Sequence, residues 1–290
     1  MSIILPQPIN FSFQECLWFL DRNYDDCLHE VGENRLRKLL KTEGGLCLIE
    51  VTEKDNSLLI KILQGNFHEK VVIDFVKEWM DFERDIQPFY DLLKQDADLT
   101  FMPTDYHGLR LLGIPDLFEA LSWSIIGQQI NLTFAYKLKR RLVETWGESV
   151  VYEGIQYYAF PAPSVIANLQ VADFQDKQFS TRKVEYLIEI AQQFEKGNIS
   201  KAILEKQTTP EAIETLVKIR GIGVWTANYA LMKSLKRLEC ITYGDVGLYN
   251  ALHKVKGFPR RPSKEEIDEL FNNFKGWESY LVFYLWRSLA

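Results

Sequence analysis

Cysteine is scarce in this chain, with four among 290 residues, at Cys16, Cys27, Cys47 and Cys240. None stands in CxxC spacing or at zinc-finger distance from a histidine, so the sequence supports neither a zinc site nor an iron–sulfur cluster. The four are expected to be reduced core or surface thiols. Long hydrophobic runs are also missing: nowhere do about 18 apolar residues follow one another, the length needed to cross a bilayer. The first residues, MSIILPQPINFSF, have neither the basic start nor the long apolar stretch of a secretion signal. The expected setting is cytoplasmic, with no membrane contact. No repeat or low-complexity tract interrupts the chain, and 47% hydrophobic with 26% charged residues argues against disorder. At this length two domains fit.

An excess of positive charge is absent as well. The formal net charge of −6, taken as a total, argues against a polyanionic partner, but a total says nothing about distribution. Acidic side chains prevail in the first hundred residues, whereas Leu216 to Pro262 hold Lys218, Arg220, Lys233, Lys236, Arg237, Lys254, Lys256, Arg260 and Arg261 against only Glu239 and Asp245. A solvated basic face and a nucleic-acid surface both remain open.

Secondary-structure signals divide the chain in the same way. GGLCLIEVTEKDNSLLIKILQG offers two β-rich runs around a polar turn at Glu53 to Asn56, a hairpin pattern. A helical pattern follows from about Val71 to Leu93, then Pro103 and the Gly108 to Pro115 stretch punctuate the chain. The remainder reads as nearly all helical, with a domain boundary near residue 100. Asp116 with Glu119 resembles a capping box, and Thr209 before Pro210 resembles an N-cap with proline in the first turn.

Residues 218–230 read KIRGIGVWTANYA, between segments that both look helical. RGIG is too short for a relaxed loop, so the pattern predicts a helix–hairpin–helix. Glycine permits backbone angles closed to other residues, and the amides of Ile222, Gly223 and Val224 are expected to point outward at the second helix's N-terminus, where a phosphate oxygen fits. A plain helical hairpin that uses glycine only for geometry is the alternative. Further on, ITYGDVGLYNALHKV places Gly244 and Asp245 ahead of an apolar-periodic helix, where Asp245 could be no more than an N-cap.

The GIG hairpin, the downstream GDVG and FEALSWSIIGQQINLTFAYKLKRRLVETWGE occur in this order, and together they resemble the helix–hairpin–helix superfamily of DNA glycosylases, best its 3-methyladenine DNA glycosylase II branch. The resemblance extends over nearly the whole chain and is weakest before residue 100. It implies an α+β domain of the TATA-binding-protein-like kind over residues 1–100. A mostly α-helical glycosylase region would follow over 101–290, with the hairpin at about 210–235 and the catalytic segment at 241–255. By similarity Asp245 is the catalytic carboxylate, and Trp225, Tyr229, Trp286 and, less securely, Phe19 line the base pocket, although each could instead be core packing. Arg220, Gly221, Ile222, Gly223, Val224 and Thr226 form the DNA-gripping hairpin, with a sodium or potassium ion at backbone carbonyls near Ile219 and Ile222; no other cofactor is implied. Ile126 aligns with an apolar wedge and Gln128 with a glutamine near the opposite strand. The implied partner is double-stranded DNA holding a damaged base, met by a monomer.

Three positions depart from relatives. Arg220 stands where many members have proline, and Val246 where some have tyrosine. Trp225 occupies the place of the lysine that strand-cutting relatives use, which implies a monofunctional enzyme: water displaces an alkylated purine of the 3-methyladenine or 7-methylguanine type and leaves an abasic site. The alternatives are a glycosylase of this fold acting on oxidised or deaminated bases, and a DNA-binding module in which Asp245 only caps a helix.

Overall fold

The computed structural model describes residues 2–22 and 24–290. Strand β1 (Ser2–Pro6) and helix α1 (Phe13–Asp21) lead into β2 (Glu30–Gly32), β3 (Arg35–Thr42), β4 (Gly45–Lys54) and β5 (Ser57–Gly65). These form one antiparallel sheet in the order β1-β5-β4-β3-β2. The anticipated hairpin is β4–β5, and its tight turn uses Asp55 and Asn56 at φ of 50° and 54°, left-handed angles that Asp and Asn tolerate better than most residues.

Helices follow: α2 (Glu69–Trp79), α3 (Gln87–Leu93), α4 (Met102–Asp105), α5 (Leu117–Gly127) and α6 (Leu132–Trp146). The single helix expected from Val71 to Leu93 is thus two, interrupted where Asp81 takes a φ of 46° and restarted at Gln87, with Pro88 in the first turn. A second hairpin, β6 (Ser149–Tyr152) and β7 (Ile155–Tyr158), corrects the nearly all-helical expectation. It packs Tyr157 and Ala159 against Leu39 and Leu48 on the outer sheet face, where Arg37 bonds both Glu50 and the Tyr157 hydroxyl.

The rest is helical: α7 (Pro163–Ala167), α8 (Thr181–Glu195), α9 (Lys201–Glu205), α10 (Thr209–Val217), α11 (Val224–Ser234), α12 (Val246–Lys256), α13 (Lys264–Asn272) and α14 (Glu278–Arg287), with one 3₁₀ turn at Val171–Phe174. Helix α10 starts one residue earlier than expected. Thr208, not Thr209, is the N-cap, in a reciprocal box with Glu211, and Pro210 is the second helical residue. At α5 only half of the expected box forms: Asp116 accepts from the Glu119 amide at 3.0 Å, but the Glu119 carboxylate turns to Lys139 instead.

One continuous core joins sheet and helices, from Ile3 to Leu285. Phe89 of α3, for example, packs its ring among Phe274, Trp277, Tyr280 and Tyr284. All four cysteines are unpaired thiols. Burial pushes the Cys16 and Cys240 thiols up to about 12, so neither is a thiolate near neutral pH. Among the described residues no helix is long and apolar enough to cross a membrane, and no group of three or more His, Cys, Asp or Glu side chains could hold a metal ion.

Candidate active site and nucleic-acid interface

The connection between α10 and α11 is the predicted hairpin, and its two glycines do different work. Gly221 has a φ of +95°, and a β-carbon there would lie 2.4 Å from the Tyr186 ring. Both facts demand glycine. Gly223 has an ordinary backbone and nothing within 4 Å of where a β-carbon would stand, so it faces open space.

Most long helices of this protein are capped by a side chain, but α11 has Gly223 at its N-cap and no side-chain bond. Within the chain, nothing accepts from the amides of Gly223, Val224, Trp225 or Thr226 among the described residues. This is a helix N-terminus left open for an anion. The Ile222 amide, expected to point outward, instead closes the turn onto the Ile219 carbonyl at 3.1 Å. Its removal shifts the open set one residue along the chain.

The basic excess around the hairpin is smaller at the surface than the composition suggests. Lys233 and Lys236 are turned inward onto the carbonyls of Leu112 and Leu111. Arg237 bonds the carbonyls at residues 204, 205 and 207, and Lys256 pairs with Asp96 and Asp98. Arg220 is exposed but paired with Glu185 at 2.7 Å, and Lys218 stands exposed beside it. Backbone amides, more than side-chain charge, define this face.

The end of α5 abuts the hairpin. Gln128 donates through its side-chain amide to the Gly221 carbonyl at 3.1 Å and approaches the Thr226 hydroxyl at 3.4 Å. Lys183 of α8 holds this turn from behind, donating to the carbonyls of Ile125, Ile126 and Gln128, and burial lowers its pKa to about 8. Two expectations need correction here. Ile126 is 0% exposed and belongs to the core, so it cannot enter a duplex as a wedge from this conformation. Gln128 is held by the hairpin. The residue that projects is Gln129, exposed and at a φ of 57°, a polar side chain where an apolar one was expected.

Asp245 is the N-cap of α12, and more. Its Oδ1 accepts from the Leu248 amide at 2.6 Å and from the Trp286 indole Nε1 at 3.0 Å. Its Oδ2 accepts from the Trp225 indole Nε1 at 3.3 Å. Three donors from three helices therefore orient one carboxylate. Gly244, at a φ of +90°, turns the chain into α12. Gly247 then makes room, since a β-carbon there would meet Asp245 Oδ1 at 2.9 Å and the Trp286 ring at 3.3 Å.

This carboxylate lines a cavity of about 1250 Å³. Trp225 and Tyr229, one turn apart on α11, stack at 5.3 Å and 18°. Tyr229 lies 6.3 Å from Trp286. Phe19 of α1 packs on Phe283, which in turn approaches Trp286. All four predicted aromatics thus meet Asp245 around one cavity, together with Gly223, Thr226 and Gln128. Arg220, Gly221, Ile222 and Val224 stay outside its lining. Missed from the sequence was the opposite wall, where Trp123 lies 4.6 Å from Tyr136, which stacks on Tyr24 at 4.8 Å and 12°.

The contrast between the two hairpin glycines is testable. Gly221→Ala places a β-carbon into Tyr186 at a left-handed angle, and a loss of about 2 kcal/mol or more in folding stability is expected. Gly223→Val fits the observed backbone and should leave the melting midpoint within about 2 °C, while affinity for undamaged duplex falls at least tenfold because the valine stands where a phosphate would lie. Equal effects of both substitutions on melting would contradict this division.

Comparison with known proteins agrees with the geometry. Residues 122–275 match the HhH-GPD superfamily base excision DNA repair protein family. Over 99% of its length the chain is 36% identical to a DNA-3-methyladenine glycosylase of Bacillus subtilis, covering 97% of that protein. A solved 3-methyladenine DNA-glycosylase from Archaeoglobus fulgidus superposes with a TM-score of 0.85 at 22% identity, over 98% of this chain and 97% of that one. A Schizosaccharomyces pombe 3-methyladenine DNA glycosylase in complex with abasic DNA gives a TM-score of 0.55 at 23% identity, over 68% and 93%. The two structures speak for the fold, the family match and the full-length relative for descent: the chain belongs to the HhH-GPD superfamily of base excision DNA repair proteins.

Proposed function

We propose that this protein is a monofunctional DNA glycosylase that removes alkylated purines, of the 3-methyladenine and 7-methylguanine type, from double-stranded DNA by hydrolysis and leaves an abasic site. The observation that carries the reading is the Asp245 carboxylate, held by the Trp225 and Trp286 indoles at an aromatic cavity beside an uncapped helix N-terminus.

The chemistry follows from these parts. A base within a duplex reaches such a cavity only by leaving the stack, at a cost of a few kcal/mol. The open amides of α11 hold the backbone phosphate and fix the register, and Gln129 stands at the surface beside them to brace the gap. Breaking the N-glycosidic bond builds positive charge on the sugar, and a carboxylate fixed beside the anomeric carbon stabilises that charge in the transition state. The two indole donors and the Leu248 amide set where the negative charge lies before substrate arrives, so little reorganisation is needed. Water then takes the place of the departing base.

Alkylation at N3 or N7 gives the purine a positive charge, and aromatic faces attract cations by about 0.5–2 kcal/mol per contact. Trp225, Tyr229 and Trp286 supply such faces, and among the described residues no side-chain cation lies over these three rings, unlike Phe19, which Arg22 and Lys233 approach. At the hairpin, no hydrogen bond reaches the Ile222 carbonyl among the described residues, and the Ile219 carbonyl accepts one. This neutral oxygen set suits a sodium or potassium ion, which would add positive charge next to the phosphate. Because the hairpin, carboxylate and aromatic wall all come from a single chain, we take a monomer in the cytoplasm as the working form.

Base release from duplexes containing 3-methyladenine, 7-methylguanine, hypoxanthine, uracil or 8-oxoguanine tests the assignment. The methylated purines should be released fastest. Release of 8-oxoguanine or of a deaminated base alone would move the chain to another glycosylase class, and release of nothing would leave a DNA-binding module.

A further inference from the structure

Three helices line the cavity with stripes of residues: Glu119, Trp123 and Gly127 from α5, Tyr136 and Lys139 from α6, and Trp225, Tyr229 and Lys233 from α11. Spacings of three and four residues place each stripe on one helix face. Trp225 bonds Asp245 at the rim, and Gly127 adjoins Gln128, which bonds the hairpin. Glu119 lies eight residues before Gly127, toward the other end of α5 and away from the hairpin.

That end is polar. Lys139, 4% exposed, places its ammonium 2.9 Å from Asp26 and 3.3 Å from Glu119, and 5.4 Å from the centre of the Trp123 ring. Burial alone would lower the Lys139 pKa, but Asp26 and then Glu119 reverse this and hold it above its usual range. Burial likewise opposes ionisation of Asp26, and Lys139 overcomes it, keeping that carboxyl well below its usual range. One cation therefore stands between two carboxylates, and Asp26 takes its hydrogen bond. The Glu119 contact is an ion pair only, and no hydrogen bond ends on its carboxylate among the described residues. Abandoning the helix-capping position open to it beside Asp116, Glu119 faces the cavity as an acceptor with spare capacity.

A purine whose sugar lies by Asp245 points its base along the aromatic wall, toward the polar end that Glu119 lines in the same cavity. We propose that Glu119 accepts a hydrogen bond from the exocyclic amino group of the flipped purine and thereby sets a preference for amino-bearing bases. This rests on the glycosylase reading above. Lys139, which lies over the Trp123 ring and is itself held by Asp26, is the positioning residue that fixes the carboxylate. Hypoxanthine has no exocyclic amino group, so it leaves the Glu119 carboxylate without that donor, and sites built to hydrogen-bond a substrate N–H reject an analogue lacking it strongly.

Single-turnover release of 3-methyladenine and of hypoxanthine from otherwise identical duplexes tests the assignment in wild type, Glu119→Gln and Glu119→Asp. The second variant keeps the negative charge beside Lys139 but withdraws the carboxylate by one methylene, so it guards against misfolding of the first. In both, release of 3-methyladenine is expected to fall at least tenfold, while hypoxanthine release changes less than threefold or rises and affinity for undamaged duplex holds. A wild type that releases neither base would sink the glycosylase reading itself. An active wild type whose two rates change in equal proportion in the variants, or do not change, would overturn the role of Glu119 alone.

Discussion

Asp245→Asn should abolish base release, by at least about a hundredfold in single-turnover rate, while fold and DNA affinity stay near wild type. Asparagine is as good an N-cap as aspartate, so the Leu248 amide keeps its acceptor, and the side-chain oxygen can still receive an indole N–H. What disappears is the negative charge facing the sugar. Groups aimed at charge that develops only in the transition state are worth about 2.7–4 kcal/mol each when removed singly, and the ground-state complex has little of that charge to lose. Binding should therefore survive where chemistry does not. Single-turnover release measured beside duplex affinity and thermal melting checks the separation. If the variant stayed within about tenfold of wild type, Asp245 would be a helix cap and nothing more.

Both sequence readings of Asp245 prove compatible, because one oxygen caps α12 and receives Trp286 while the other receives Trp225. The hairpin was legible because its cause is local: two glycines within the three residues before a helix start leave few conformations. The strand pairs β4–β5 were legible for the same reason. Where the cause was not local, the reading failed. Ile126 and Gln129 sit three residues apart at one helix end, and an apolar residue there looks equally suited to core or to wedge; only the packing around α5 puts Ile126 inside. The basic residues of the hairpin region looked like a phosphate surface, yet Lys233, Lys236 and Arg237 serve buried carbonyls of distant segments. Another part of the cavity lining draws Asp26, Glu119, Trp123, Tyr136 and Lys139 from two helices and the loop after α1, each unremarkable in its own sequence. Asp116 and Glu119 read as an ordinary capping box, and nothing in the local sequence signals that the Glu119 carboxylate turns to Lys139 instead.

Incubation with a damaged duplex and borohydride should trap no protein–DNA adduct, and the DNA product should stay unbroken until alkali is added. Trapping needs an imine, which forms when a neutral amine attacks the anomeric carbon, expels the base and then breaks the bond to the ring oxygen, which leaves as a hydroxyl as the sugar opens. The position just after the hairpin holds Trp225, whose indole nitrogen carries the hydrogen bond to Asp245 and is no nucleophile. Lys233 is the amine to watch. Burial holds its pKa well below the usual range, so it is the lysine of this region best able to be neutral, and it lines the same cavity. Distance argues against it. It lies eight residues along α11 from Trp225, about 12 Å by helical rise, with its amine on the Leu112 carbonyl and between the rings of Phe19 and Phe283 at 4.8 and 4.7 Å. A sugar held at Asp245 stays at the rim, and the base itself fills the space between. Lys218 is exposed on the far side of the hairpin turn, outside the cavity lining. A strong cross-linked band that vanishes in Lys233→Met or Lys218→Ala would overturn displacement by water and assign this protein a strand-cutting mechanism.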